Sequence, residues 1–353
     1  MLSIRCLDKY KIDDTNSRQA DLLSATINFL KFPLAVLVVI LHANLLTKPL
    51  ERVDMADLEL ISPAFTLVTW LLSRFLAYLA VPSFFVVSGF LLFYNVDRLN
   101  RFTYKSKLRR RFHTLVVPYL VWNVIYLIIY WAITPQRVVL SEVPDIFSNA
   151  SPIQFFYVTF IKPIDGPLWF IRNLFVMVIL SPVFYWTARR TGLLLPALLL
   201  VLTQFAGSSI VESLLWFSVG VSLSVMRIDF LRLCRTWLPV TLSVTLITIA
   251  VDILLYPHTG SHIVGHFALF KIMAGFGLGY LAIEKHREWA DCKVLNQSTF
   301  VIYAYHSIPQ LLLIGNFLPF LCSLNIVGGG VFDLFCSNYT HCLWRSITEY
   351  DNS

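Results

Sequence analysis

The amino-acid sequence predicts an all-α, polytopic integral membrane helix bundle with a cytoplasmic N-terminus. Three observations predict it. The first is composition: of 353 residues, 57% are apolar and only 14% are charged, against about 45–50% and about 25% in soluble domains. That is too little charge to cover a water-soluble body of this size. The second is a series of nine apolar runs, most of them near the roughly 20 residues that cross a bilayer as a helix. The third is the alternation of lysine and arginine from loop to loop. Together these exclude disordered, collagenous and disulfide-framework classes, and also a soluble nucleic-acid-binding domain, in spite of a net charge of +7. Six cysteines with no C-x-x-C spacing supply neither a zinc site nor a disulfide scaffold.

The runs fall at residues 27–46, 74–95, 115–134, 167–187, 192–207, 210–226, 237–256, 264–283 and 299–321, with 64–73 read as an interfacial approach to the second. Residues 1–26 carry Asp8, Asp13, Asp14 and Asp21 among their basic residues and no cleavage site, so they are no signal peptide. Basic residues cluster before and at the start of the first run (Arg5, Lys9, Lys11, Arg18, Lys31). They cluster again between Arg98 and Arg111, at Arg189 and Arg190, from Arg227 to Arg235 and from Lys285 to Lys293. Twenty thus fall on one side, and Lys48, Arg52, Arg137 and Lys162 on the other. The richer side reads as cytoplasmic, and the loops near 47–73 and 135–166 as periplasmic or external.

This divides the chain into a cytoplasmic segment (1–26), a membrane domain (27–321) and an atypical tail (322–353). The tail holds three of the six cysteines, Gly328-Gly329-Gly330 and a polar run from Cys336 to His341. Asp333 interrupts its one apolar stretch. That makes a poor tenth span near 326–344, because polar groups are expensive in lipid, and the tail reads as truncated or out of frame.

Ionisable residues inside spans are functional candidates by default. At about 1.5 Å of rise per residue, His42 falls in the outer half of the first span. Arg172 falls near the outer start of the fourth, and Glu212 and Asp252 also lie outward. Lys31 lies at the inner start of the first span, His306 in the inner half of the ninth and Lys271 near the middle of the eighth. Their depths differ, so they are not expected to meet at one atom. His42 is the sharpest candidate: a neutral imidazole can take a proton from a hydroxyl nucleophile. Position alone favours an interfacial histidine bonded to a backbone carbonyl.

The run from Lys105 to Arg111 reads either as a stop-transfer cluster that binds anionic lipid headgroups or as a phosphate clamp, since arginine forks match phosphate oxygens. His258, His262 and His266 have helical spacing, but Pro257, Gly260 and Gly265 break the helix that would align them, so no metal site is expected. Ser88-Gly89 reads as a close helix-packing site and not as a nucleophile elbow.

Four stretches, with a fifth that fits, resemble the membrane-bound acyltransferase family 3, inner-membrane O-acyltransferases of bacterial surface polysaccharides. Asn28-Phe29-Leu30-Lys31 through His42 is similar to the family's first span, and Val81 to Phe90 to its second, with the pattern FFxxSGF. Arg109-Arg110-Arg111 followed by Val117-Pro118-Tyr119 resembles its basic loop and third span. Phe300 to His306 resembles a late IYxxH span. Gly166-Pro167-Leu168-Trp169-Phe170 matches a common fourth-span start.

The resemblance covers roughly 27–320 and departs in two places. The family usually has arginine where Lys31 stands, which keeps the charge without the fork. It also has ten spans. The resemblance implies a multi-pass protein of the bacterial inner membrane. It would move an acyl group, acetyl in the first instance, from cytoplasmic acyl-CoA (acetyl-CoA) to a hydroxyl of an O-antigen, capsule or exopolysaccharide. His42 is implied as general base, with Lys31, Arg172 and His306 as orienting or oxyanion-stabilising residues. Arg109, Arg110 and Arg111 would hold the CoA phosphates. The expected partners are acyl-CoA, a surface or lipid-linked polysaccharide and membrane lipids, with no nucleic acid and no metal. A transporter or flippase of a lipid-linked glycan would also explain the bundle, though not the motif order. An inactive truncated homologue is the third reading.

Overall fold

A computed structural model of the protein describes residues 10–12, 17–43, 70–133, 156–161, 163, 166–205, 208–259 and 267–312. Among these residues the architecture is helical, with no strand beyond an isolated antiparallel bridge between Lys11 and Ile228. The elements are α1 (Ser17–Ala43), α2 (Ala80–Phe93), α3 (Arg101–Arg111), α4 (Val117–Ile133), α5 (Trp169–Ile179), α6 (Ser181–Thr191), α7 (Leu194–Thr203), α8 (Ser209–Val225), α9 (Phe230–Thr236), α10 (Leu238–Thr259), α11 (Ala268–Lys285), α12 (Lys293–Tyr305) and α13 (Ser307–Leu312). Short π-helical segments, Trp70–Leu76 and Phe112–Val116, lead into α2 and α4, and a third is Tyr157–Ile161. The tail 322–353, the tenth-span candidate, His262 and His266, and nearly all of the two long outer loops lie outside the described residues. The side chain of His258 lies outside them too.

Among the described residues, helix covers most of each apolar run. Three helices, Arg18–His42, Leu71–Phe93 and Arg101–Ile129, are long and apolar enough to cross a bilayer alone. Two further helix pairs are apolar enough together but sharply bent, and proline explains both bends. Pro182 has no N–H to give to Val178 and Pro239 none to give to Arg235, and the helices turn by 62° at Leu180 and by 67° at Trp237. Glycine sets the tightest crossing, between α2 and α8. A Cβ on Gly220 would stand 2.0 Å from the carbonyl oxygen of Val86, and one on Gly89 2.4 Å from that of Phe217. The two backbones therefore touch, as small residues allow in membrane bundles. Phe85, Phe90 and Phe217 fill the buried core around the crossing.

Charged contacts gather the basic loops at one end of the bundle. Arg227 pairs with Asp97 at 2.8 Å, Arg235 with Glu284 at 3.0 Å and Arg287 with Asp21 at 2.6 Å. The chain before α1 is stitched to the same end: Ile12 donates to Arg227's carbonyl and Asp229 to Tyr10's, both at 2.7 Å. Local signals begin the nearby helices. Asn100 caps α3 by accepting from Thr103 N–H at 2.7 Å, and Asp229 caps α9 by accepting from Arg232 N–H at 3.0 Å.

Candidate active site

α1 and α12 lie side by side, and their ends away from the basic loops bring two imidazoles together. The rings of His42 and His306 have centroids 5.0 Å apart and are inclined by 54°. Nδ1 of His42 lies 2.8 Å from the carbonyl oxygen of Val38, and Nδ1 of His306 lies 2.6 Å from that of Tyr303. A carbonyl oxygen only accepts, so each Nδ1 carries the hydrogen and donates it. In the neutral form each ring then presents its unprotonated Nε2 as an acceptor. That of His306 is buried with no hydrogen-bond partner among the described residues, and the residue is only 6% exposed.

The structure thus revises the depths read from sequence. His306 was placed in an inner half, away from His42. Its helix begins at Lys293, six residues before the apolar run does, and carries His306 about 20 Å along the axis, to the level of His42.

Aromatic side chains build the floor beneath the pair. Tyr303, one turn before His306, packs 6.2 Å from its ring and 5.8 Å from Phe170. Phe170 in turn meets Phe85 edge-on at 4.8 Å. The Tyr303 hydroxyl donates to the carbonyl of Pro167 and so ties α12 to the turn that opens α5. In the sequence Tyr303 stands out only as part of the IYxxH motif. Its i, i+3 spacing from His306 was the available signal that both share one helix face.

The remaining candidates are dispersed. Arg172, half-buried on α5, donates from Nε and Nη2 to Oδ1 of Asn173 at 3.1 and 2.9 Å. Asn173 passes the contact to Ser213 on α8 at 3.1 Å. Lys31 stands eleven residues before His42, about 16 Å lower on the helix axis, and donates to Oδ1 of Asn28 at 2.8 Å. Lys31 therefore does not share the imidazole site. The three arginines of the basic run also separate. Arg109 and Arg110 are exposed, whereas Arg111 is half-buried on the same face as Lys107, one turn earlier. None of these four pairs with a carboxylate among the described residues. Lys271 and Asp252 lie buried at 3% and 1% exposure, with the Lys271 ammonium 4.9 Å from the ring centroid of Phe75. The described residues hold no group of three or more potential metal ligands.

Residues 24–337 match the family model of an acyltransferase domain. The chain belongs to acyltransferase family 3. It is 29% identical over 189 residues to the succinoglycan biosynthesis protein ExoH of Rhizobium meliloti (strain 1021). That alignment covers 52% of this chain and 50% of the relative, so the acyltransferase-family chain spans about half the length of the curated relative it matches. No solved structure matches the chain.

Proposed function

We propose that this protein is a multi-pass inner-membrane O-acyltransferase. It would move an acyl group, acetyl in the first instance, from cytoplasmic acyl-CoA to a hydroxyl of a surface or lipid-linked polysaccharide. The observation that carries the reading is the imidazole pair, with each Nδ1 tied to a backbone carbonyl and each Nε2 left as an acceptor, inside a chain of this family. The succinoglycan relative's name supports an exopolysaccharide as the acceptor class.

His42 accepts the proton of the acceptor hydroxyl through Nε2 as the oxygen attacks the thioester carbon. The C–S bond breaks, and the imidazolium returns its proton to the departing thiolate, leaving an ester and free CoA thiol. No proton is gained or lost overall. Two imidazolium charges 5.0 Å apart in an apolar site would repel, so the pair carries one proton at a time and works as a unit. His306 holds the second acceptor position and orients the hydroxyl. Arg172 lies five residues after Pro167, the residue to which Tyr303 is anchored, and is assigned the charge that develops on the thioester oxygen. Lys31 belongs to the other end of the route, on the donor side. The CoA phosphates bind at the basic end of the bundle, where Lys107 and Arg111 are half-buried cations beside the exposed Arg109 and Arg110.

The test is release of CoA thiol from acetyl-CoA by membranes that contain the protein. Release that depends on added acceptor glycan, and that disappears in His42→Ala, is the expected result. Release without acceptor dependence, or none at all, overturns the reading in favour of a transporter or an inactive homologue.

A further inference from the structure

The seam between α1 and α12 has a second feature at its other end. A cleft of about 330 Å³ opens between the N-terminal half of α1 and the start of α12, with Phe29, Phe32 and Trp289 as its aromatic walls. We infer that this cleft is the entrance for the pantetheine arm of acyl-CoA, and that the arm runs along the α1–α12 seam to the imidazole pair. The inference rests on the acyl-CoA reading above and adds the donor's path to it.

The chemistry of the lining fits a chain of amides. Asn28 Oδ1 is taken by Lys31, and Asn296 Nδ2 is taken by the carbonyl of Ala290 at 3.0 Å. That leaves Asn28 Nδ2 as a donor and Asn296 Oδ1 as an acceptor in the lining. Pro33 supplies a second acceptor. It sits inside α1 with no N–H to give to the carbonyl of Phe29, four residues earlier, and both residues line the cleft. A pantetheine arm brings two secondary amides, each one donor and one acceptor, joined by apolar carbon. It therefore matches a cleft with aromatic walls and unspent amide groups. The one carboxylate of the lining, Glu288, is 3.3 Å from Nδ1 of His286.

Length agrees as well. Pro33 and Asn296 lie nine and ten residues before His42 and His306, about 14–15 Å along their helices. The arm has twelve bonds from phosphate oxygen to sulfur, equivalent to four extended residues, or about 14 Å. With the pyrophosphate at the mouth of the cleft, the thioester reaches the imidazoles. A lipid chain would fill the same apolar volume but make none of these hydrogen bonds.

Cys292 lines the cleft and is exposed, so it reports on occupancy. The full chain in detergent is treated with N-ethylmaleimide, and alkylation of Cys292 is followed by peptide mass spectrometry. The probe is desulfo-CoA, which has the arm but no thiol to consume the reagent. At ten times its Kd, desulfo-CoA is expected to slow alkylation roughly tenfold by mass action. Adenosine 3′,5′-bisphosphate, which lacks the arm, is expected to leave the rate unchanged. Equal protection by that nucleotide overturns the arm assignment. No protection by desulfo-CoA, in a preparation that releases CoA in the presence of acceptor, overturns the cleft and leaves the acyl-CoA reading standing. No protection and no release overturn both. Leu295→Trp, which fills the cleft from its edge, is expected to raise KM for acetyl-CoA several-fold with little change in kcat. An unchanged KM counts against the route. If this variant does not accumulate, the alkylation of the unmodified chain still decides.

Discussion

Two helix crossings in this bundle are built on opposite terms. Where α2 meets α8, Gly89 and Gly220 bring backbone to backbone, and a single added methyl would collide with a carbonyl. Where α1 meets α12, the seam is not closed along its whole length. It holds a cleft at one end, two imidazoles at the other and unspent amide groups at the cleft. The first crossing gives packing and leaves no room for a ligand. The second packs along its length but leaves a cleft at one end, where a ligand can enter. Changes at the glycine crossing should therefore cost the fold and carry activity with it. Changes along the seam should cost activity and spare the fold.

The largest expected effect tests the seam. His42→Ala is expected to lower glycan acylation by about 10²–10⁴-fold, the range of general acid–base help, at normal abundance and unchanged thermal stability. Acylation near the wild-type level would remove His42 from the chemistry. A parallel loss of folded protein would erase the contrast between the two crossings.

The glycine crossing is tested next, by a pair of identical substitutions. Gly220→Ala is expected to destabilise the protein by about 1–3 kcal/mol or more, the cost of overpacking. A thermal-shift measurement on detergent-solubilised protein would read it, with activity falling only as the folded fraction falls. Gly275→Ala in α11 meets nothing within 4 Å. It is expected to be neutral or to gain up to about 1 kcal/mol, the difference in helix propensity. Equal behaviour of the two variants would mean that α2 and α8 are not in backbone contact.

The parts of this architecture differ in how far the sequence reveals them. Helices at all nine apolar runs follow from composition and periodicity, and Ser88-Gly89 is readable as a packing site because small residues in an apolar helix have few other uses. The two bends were legible in principle, since Pro182 and Pro239 each sit within two residues of the break. An apolar count gives only the limits of the runs 167–187 and 237–256, because hydropathy does not register a missing N–H. His306 was misplaced in depth because the first turns of α12 carry Lys293, Asn296, Gln297 and Ser298, which hide the start of the helix from an apolar count. Its meeting with His42 joins residues 264 positions apart. No local signal encodes that contact, and only tertiary packing supplies it. The basic run shows the reverse limit: Arg109, Arg110 and Arg111 are consecutive, yet helical geometry turns only Arg111 inward and matches it with Lys107.

That division gives the third prediction, which tests whether the CoA phosphates are drawn by the half-buried cations or by the exposed ones. Lys107→Gln with Arg111→Gln is expected to raise KM for acetyl-CoA by roughly three- to tenfold, the effect of about 1 kcal/mol of partly screened charge contact. The effect should be steeper at low ionic strength. Arg109→Gln with Arg110→Gln is expected to do less. Equal effects would mean that the run acts as a diffuse field, and no effect in either pair would leave it as a topology signal.

The smallest expected effect lies between the two crossings, at Tyr303. Its hydroxyl reaches the carbonyl of Pro167, while its ring packs on Phe170, which touches Phe85 in α2. Tyr303→Phe keeps the ring and removes only the hydrogen bond, whose net worth is about 0.5–1.5 kcal/mol. If Tyr303 were structural alone, that loss would appear in thermal stability, and kcat per folded molecule would be unchanged. The geometry argues otherwise, because His306 hangs its Nδ1 on the carbonyl of Tyr303 itself. A tyrosine released from Pro167 lets the last turn of α12 shift, and the imidazole shifts with it. A drop of about fivefold in kcat, equivalent to about 1 kcal/mol of barrier, is therefore expected, with KM for acetyl-CoA unchanged because the cleft lies two to three turns away. A change confined to KM would place Tyr303 on the donor path and detach it from the imidazole pair.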